Sequence, residues 1–88
     1  LRLLNYVECK PMFGGFGLYC RGIFFGIIAD GGVYFKTDLS TVDSYKERGM
    51  KPFKPSAKQT LKNYYELPPE ILEDEQQIAE WAEISIRL

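Results

Sequence analysis

The sequence lacks histidine, has only two cysteines and contains no long apolar run, and each absence removes a class of function. Histidine is the commonest general base near neutral pH and the commonest metal ligand, so its absence argues against hydrolases with an activated nucleophile and against most metal centres. Cys9 and Cys20 do not form a C-x-x-C pair, which argues against a zinc or dithiol redox site. We therefore expect no catalytic residues, no metal and no cofactor.

The same absences bear on the compartment. Two cysteines are too few for the disulfide framework of a small secreted domain, so two reduced thiols are favoured, although a cross-link between neighbouring strands stays open. No stretch approaches the roughly 18 apolar residues of a membrane-spanning helix, and no targeting segment is evident. We expect a cytoplasmic protein without a membrane partner. Because the first residue is Leu1, we also expect that residues precede it.

The length and composition predict one small globular domain over residues 1–88. Charged residues make up 26% and hydrophobic residues 45% of the chain, which is ordinary for a folded domain. The net charge of −1 gives little support for autonomous nucleic-acid binding, which usually shows as a basic excess.

The first half of the chain reads as β-strands joined by tight turns. Pro11 confines the first strand to an edge or a bulge, and the apolar run at 23–29 favours a central strand. The predicted strands are residues 8–13, 16–20, 23–29 and 33–36.

Glycine-containing steps separate these strands. Arg21-Gly22 is typical of a tight turn, and Asp30-Gly31-Gly32 is a hairpin signal, because Asp and Gly accept the positive φ of such turns. The glycine pair at 14–15 precedes a strand and lacks a Lys-Ser/Thr ending, so it predicts a structural bend and not a phosphate-binding loop.

The second half changes to helical spacing. Leu39, Val42 and Tyr45 predict a short helix, which Gly49 is placed to end. Residues 52–55 then form a short edge strand at best. The last strand, 61–67, is expected to place Leu61, Tyr65 and Leu67 on one face.

A C-terminal helix closes the chain. Asp74 followed by Gln77 has the spacing of a capping box, and Trp81 is the main apolar anchor of the helix that follows. Strands that precede helices, with one helix between them, predict an α+β fold in two layers: an antiparallel sheet of about five strands with helices packed on it.

Charge is unevenly distributed along the chain. Seven carboxylates lie between Glu66 and Glu83 without a compensating cation, which suits the N-termini of helices. The middle of the chain is basic, with Glu47 as the one opposing charge. Its cations are Lys46, Arg48, Lys51, Lys54, Lys58 and Lys62. They either form one patch for phosphates or an acidic protein, or are solvated lysines that protect an edge strand from pairing.

The order of motifs resembles the N-terminal domain of the TfoX/Sxy competence regulators. The resemblance rests on MFGGFG, the Ala-Asp hairpin in IIADGG, Lys51-Pro52-Phe53 after the short helix, and YYELPPEILEDEQQIAEWA. The motif residues that carry the fold are Met12, Phe13, Gly14, Gly15, Gly17, Asp30, Gly31 and Trp81.

The resemblance implies an α-β-β-β-α-β-β-α order similar to type III secretion chaperones, with the first helix partly missing here. It implies a bacterial cytoplasmic protein linked to transcription of competence genes, as a short stand-alone member without a second domain. No enzymatic activity is implied. The loop at 55–60 departs from the glycine- and serine-containing version of the family.

Three functions follow as hypotheses. The leading one is a protein-interaction module whose partner is a transcription regulator, with homodimerisation also open. Direct nucleic-acid binding through Lys46 to Lys62 is the alternative, and a small-ligand domain using Tyr19, Asp30 or Tyr65 is the third. The candidate interaction surface comprises Lys51, Phe53, Lys54, Lys58 and Lys62.

Overall fold

A computed structural model describes residues 6–12 and 14–88 as one antiparallel sheet with helices on one face. The sheet has six strands in the order β1-β2-β3-β4-β6-β5, so β1 and β5 are its edges. The elements are β1 (Val7–Met12), β2 (Gly15–Cys20), β3 (Ile23–Ala29), β4 (Gly32–Lys36), α1 (Val42–Lys46), β5 (Pro52–Ser56), β6 (Gln59–Glu66), α2 (Pro69–Leu72) and α3 (Glu75–Ile86).

The hairpin turns follow from residues that accept a positive φ. Arg21 and Gly22 have φ values of 52° and 83°, and Asp30 and Gly31 have 51° and 76°. Two consecutive positive values are the requirement of a type I′ turn, whose twist matches that of the flanking strands. Both predicted turns are present, and they join β2, β3 and β4 into a meander. The second turn has two residues because Gly32 pairs with Ala29 as the first residue of β4.

The bend before β2 is structural. Gly14 has a φ of 74°, and a Cβ at Gly15 would run into the carbonyl oxygen of Ile28 on the neighbouring strand. Only glycine allows this approach of two backbones. Phe13 lies outside the described residues.

The main core lies between the sheet and the helices. Phe25, Phe35 and Tyr65 from the strands meet Ile71 of α2 and Ala82 of α3. The rings of Phe25 and Phe35 are 5.6 Å apart. Burial of this apolar surface is the dominant favourable contribution to folding.

A second cluster lies on the opposite face of the sheet, and no residue of α1, α2 or α3 belongs to it. Its buried members are Ile27, Ala29, Phe53 and Tyr64, with Phe24, Tyr34 and Leu61 packed against them. Tyr34 and Phe53 have ring centroids 4.8 Å apart, and Phe24 lies 5.0 Å from Tyr64. Aromatic side chains on this face therefore cover one another.

An aspartate side chain caps α3, and another makes hydrogen bonds in the turn before α1. Asp74 accepts hydrogen bonds from the backbone N–H groups of Gln76 and Gln77 at 3.0 and 3.1 Å, which confirms it as the N-cap of α3. Before α1, the Asp38 carboxylate accepts from the N–H of Ser40 at 2.8 Å. Gly49, with a φ of 76°, ends the helical region as predicted.

The predicted α+β class and antiparallel sheet are confirmed, with six strands where about five were expected. Two side chains differ from the sequence prediction. Leu39 is 95% exposed because it precedes α1. Leu61 joins the cluster opposite to that of Tyr65 because the β5–β6 register shifts. The expected first helix falls on residues outside the described ranges.

Candidate functional site

The β5–β6 hairpin carries an exposed row of cations, which we call the lysine hairpin: Lys51, Lys54, Lys58 and Lys62. All four side chains are exposed. Lys51 precedes β5, Lys54 lies within it, Lys58 is in the turn and Lys62 is on β6. No carboxylate occurs between residues 48 and 65, and Glu66 is the last residue of β6, so the stretch from Lys51 to Lys62 carries positive charge alone. It can attract an anionic surface.

Phe53, the apolar member of the sequence-predicted surface, is not available to a partner. Its side chain is 2% exposed and its ring packs on that of Tyr34. The register shift on either side of Phe53 turns it into the second cluster. The interaction surface proposed from the sequence is thus reduced to its four lysines.

Strand β5 is an edge that resists strand addition. Two of its five residues, Pro52 and Pro55, carry no backbone N–H. Proline on an edge strand removes the donors that another strand would need. A partner at this edge would therefore contact the lysine side chains more than the backbone.

Negatively charged side chains are concentrated between the end of β6 and the end of α3. Arg87 forms an ion pair with Glu83 at 3.1 Å, and Arg48 reaches Glu70 at 3.7 Å. The carboxylates of this segment are Glu66, Glu70, Glu73, Asp74, Glu75, Glu80 and Glu83. The lysine hairpin is thus basic and residues 66–83 are acidic, although the net charge of the whole chain is only −1.

A pocket lies between α1 and α3, and we call it the Arg48–Trp81 pocket. Its volume is about 330 Å³. The guanidinium carbon of Arg48 lies 5.2 Å from the centroid of the Trp81 ring, a cation–π contact. The lining side chains are Ser40, Thr41, Ser44, Tyr45, Arg48, Trp81, Ile84 and Ser85.

The floor of this pocket is a buried hydroxyl pair. Ser85 Oγ donates to the Lys36 carbonyl oxygen at 2.8 Å, and the Tyr45 hydroxyl hydrogen-bonds Ser85. Burial raises the pKa of Tyr45 to about 12, so the phenol stays protonated at neutral pH. The Tyr45 ring meets Trp81 edge-on, with centroids 4.8 Å apart.

The second cluster also holds perturbed tyrosines. Burial, followed by the neighbouring Tyr19, raises the pKa of Tyr64 to about 12. Burial also raises the pKa of Tyr34, with Glu66 and Asp30 adding to the effect. The Tyr64 ring centroid lies 5.0 Å from that of Phe24, and the Tyr34 centroid lies 4.8 Å from that of Phe53, so aromatic packing accounts for the burial of both tyrosines.

The residues suggested for a small-ligand site do not come together. Tyr19 packs on Phe24, on the face opposite the helices. Tyr65 lies in the core under the helices, and Asp30 is exposed in a turn. The Arg48–Trp81 pocket was missed because its two defining side chains come from distant helical segments, and no motif links them. Only the helical placement of Trp81 gave a signal.

The motif residues occupy structural positions. A Cβ at Gly17 would force the Met12 sulfur to shift and would contact the Phe24 ring tightly. Trp81 joins the main core and forms one wall of the pocket.

Within residues 6–12 and 14–88, no group of three or more cysteine, aspartate or glutamate side chains is placed to hold a metal ion. In the same part of the chain, no helix combines the length and the apolar character needed to cross a membrane. Cys9 is exposed and Cys20 is buried, and neither forms a disulfide within the described residues.

The family model of the TfoX N-terminal domain matches residues 1–88, which is the whole chain. No curated protein matches it.

Proposed function

Since the chain belongs to the TfoX N-terminal domain family, we propose that it is a non-enzymatic protein-interaction module in transcriptional regulation, acting on genes for competence. The observation that carries the proposal is the lysine hairpin, an exposed basic edge on an otherwise acidic small domain. Its partner is a regulator protein that presents an acidic surface.

The hairpin is suited to a protein partner by its chemistry. Lysine ammonium groups on flexible stems recognise negative potential without a fixed geometry, so they set the rate and orientation of encounter. The prolines of β5 disfavour pairing through the backbone. Contact through side chains leaves the sheet unchanged when a partner binds.

Direct binding of nucleic acid remains the second candidate, because the same lysines can neutralise phosphates. The acidic segment at residues 66–83 opposes this function, since duplex DNA that reaches far across the domain would meet carboxylates of α2 and α3. The two candidates differ in their predicted salt dependence and in the class of molecule retained.

The test is a pull-down from the native cytoplasm with the tagged 88-residue chain. The chain is compared with the double variant Lys54→Glu/Lys58→Glu. The control is Lys10→Glu/Arg21→Glu, which makes the same charge change at exposed residues outside the lysine hairpin. We expect that at least one protein is retained by the unmodified chain and by the control variant, but not by Lys54→Glu/Lys58→Glu. Light scattering of the pure chain shows whether that protein is a second copy.

Two results would overturn the proposal. Equal retention by all three proteins would remove the hairpin as the docking surface, and turnover of a small molecule by the pure domain would remove the non-enzymatic role. A gel shift with duplex DNA at low salt, weakening steeply as salt is added, would favour the nucleic-acid alternative.

A further inference from the structure

The Arg48–Trp81 pocket has the size of a small-molecule site and plays no part in the proposed protein interaction. Its volume of about 330 Å³ falls at the lower end of the range for ligand pockets. It suits a molecule with a single ring. The pocket is separate from the lysine hairpin, because none of its lining residues belongs to β5 or β6.

We infer that this pocket binds a small aromatic carboxylate, whose carboxylate group meets Arg48 and Ser44 and whose ring lies against Trp81 and Ile84. The two halves of such a ligand match the two sides of the pocket. The guanidinium and most of the hydroxyl groups come from the α1 side, and α3 contributes Trp81, Ile84 and the Ser85 hydroxyl.

The charge of the lining favours an anion. Arg48 is the one charged side chain among the lining residues, and no carboxylate lines the pocket. Arg48 Nη1 donates to the Ser44 carbonyl oxygen at 2.9 Å, which holds the guanidinium over the Trp81 ring. A guanidinium fixed in this way is a donor for a carboxylate.

The existing ion pair of Arg48 does not prevent this. The Arg48 Nε and Glu70 Oε1 atoms are 3.7 Å apart, and both side chains are largely exposed. Exposed pairs at this distance contribute little in water. A ligand carboxylate held closer to the guanidinium can therefore replace or share the interaction with Glu70.

The hydroxyl groups offer further donors without adding negative charge. The Ser44 side chain has no hydrogen bond to any other described residue, so its hydroxyl is free to bind a ligand. The Tyr45 phenol at the floor remains protonated at neutral pH and engages Ser85. The floor is therefore uncharged and does not repel an anion.

The apolar side of the pocket has a surface left to bury. Ile84 is 50% exposed although it lies beside Trp81 at the mouth. A ring placed there would remove apolar surface of Ile84 and the indole from water, which favours binding. An anion without a ring would forgo this contribution.

The test uses the fluorescence of Trp81, which is the single tryptophan of the chain. The full chain is titrated with benzoate, with benzyl alcohol as the neutral analogue and with inorganic phosphate as an anion without a ring. We expect a saturable change with benzoate at millimolar concentration and weaker binding of the other two probes. Arg48→Met should weaken benzoate binding by about tenfold or more, as expected for the loss of a hydrogen bond to a charged group.

Lys54→Met is the matched control, since it removes one exposed cation from the lysine hairpin, and it should leave benzoate binding unchanged. If Arg48→Met does not fold, Ile84→Asp is the second variant: it puts a negative charge on the apolar side of the pocket and should also weaken benzoate binding. No saturable change with benzoate, equal binding of all three probes, or unchanged binding by the pocket variants would overturn the inference. Loss of the protein partner in the hairpin variant has no bearing on these titrations.

Discussion

The two faces of the sheet are both packed, but they are packed in different ways. On one face, Phe25 and Phe35 lie beneath Ile71 and Ala82 of the helices. On the other, Ile27 is fully buried although none of the three helices contributes to its cluster. There the tyrosine and phenylalanine rings of neighbouring strands act as the cover.

The difference shows how a small domain can build two cores from one helical layer. When one face of a sheet is in water, each strand normally alternates apolar side chains on the packed face with polar side chains on the exposed face. Within residues 6–12 and 14–88, large aromatic side chains pack around the buried Ile27, and no helix of that part of the chain contributes to its cluster. The comparison predicts that the second cluster is a true core and not a surface patch.

The largest expected effect comes from truncating one phenylalanine on each face. Phe25→Ala and Phe53→Ala remove side chains that are 1% and 2% exposed, and each should lower the free energy of unfolding by about 3–5 kcal/mol. Urea denaturation measures both. Phe16→Ala, at an exposed position, is the control and should cost far less. If Phe53→Ala cost no more than Phe16→Ala, the second cluster would not be a core.

The next effect is a loss of stability at alkaline pH. The folded-state pKa values of Tyr45 and Tyr64 are both raised from 10.0 to about 12, chiefly by burial, and one tyrosine lies in each core. Above pH 10 the unfolded chain loses these phenol protons while the folded protein keeps them, so the free energy of unfolding falls as the pH rises towards 12.

Tyr45→Phe and Tyr64→Phe should each make this fall less steep, and denaturation at pH 7 and near pH 11 measures the change. Tyr45→Phe should also weaken the domain at pH 7, since it removes the hydrogen bond to Ser85. A pH profile that neither variant alters would contradict the burial of both phenols.

A smaller effect is expected at the start of the helical layer. Asp74→Ala removes the acceptor for the N–H groups of Gln76 and Gln77, so hydrogen exchange of these two amides should accelerate with a modest loss of stability. Asp74→Asn keeps a side-chain oxygen and should preserve most of the protection. Hydrogen bonds lower the pKa of Asp74, and the bond to the Gln77 side chain has the largest effect. The carboxylate is therefore protonated only at a lower pH than an ordinary aspartate, and the cap should weaken as the pH falls through that lowered pKa.

The smallest effect should come from the lysine hairpin, which belongs to neither core. Lys54→Glu/Lys58→Glu changes exposed side chains and should alter the free energy of unfolding by no more than about 0.5 kcal/mol per site. Thermal denaturation checks this. A large loss of stability would mean that these lysines support the fold, and any loss of partner binding would then have to be attributed to unfolding.

The turns and the capped helix could be predicted because their signals are local. Asp30-Gly31 fixes a type I′ turn through backbone preferences alone, and Asp74 caps α3 through its own neighbours. Local signals could not predict which face of the sheet a β6 side chain lies on. The shifted register between β5 and β6 places Leu61 and Tyr64 in the same cluster, against simple alternation.

The candidate sites were predictable to different degrees. The lysine hairpin is a run of charges in sequence, so its exposure could be expected, whereas the burial of Phe53 depends on the register shift. The Arg48–Trp81 pocket forms when the segment after α1 packs against α3. No spacing in the chain encodes that contact, and only the tertiary structure shows it.

The prolines of β5 have one consequence for assembly. Sheets of separate molecules join into a long assembly only if each sheet can pair at both of its edge strands. Pro52 and Pro55 remove backbone donors from one of these edges, β5. The remaining edge, β1, contains one proline, Pro11. Strand addition is thus disfavoured at β5, and β1 is the edge of the described sheet that keeps more of its backbone donors.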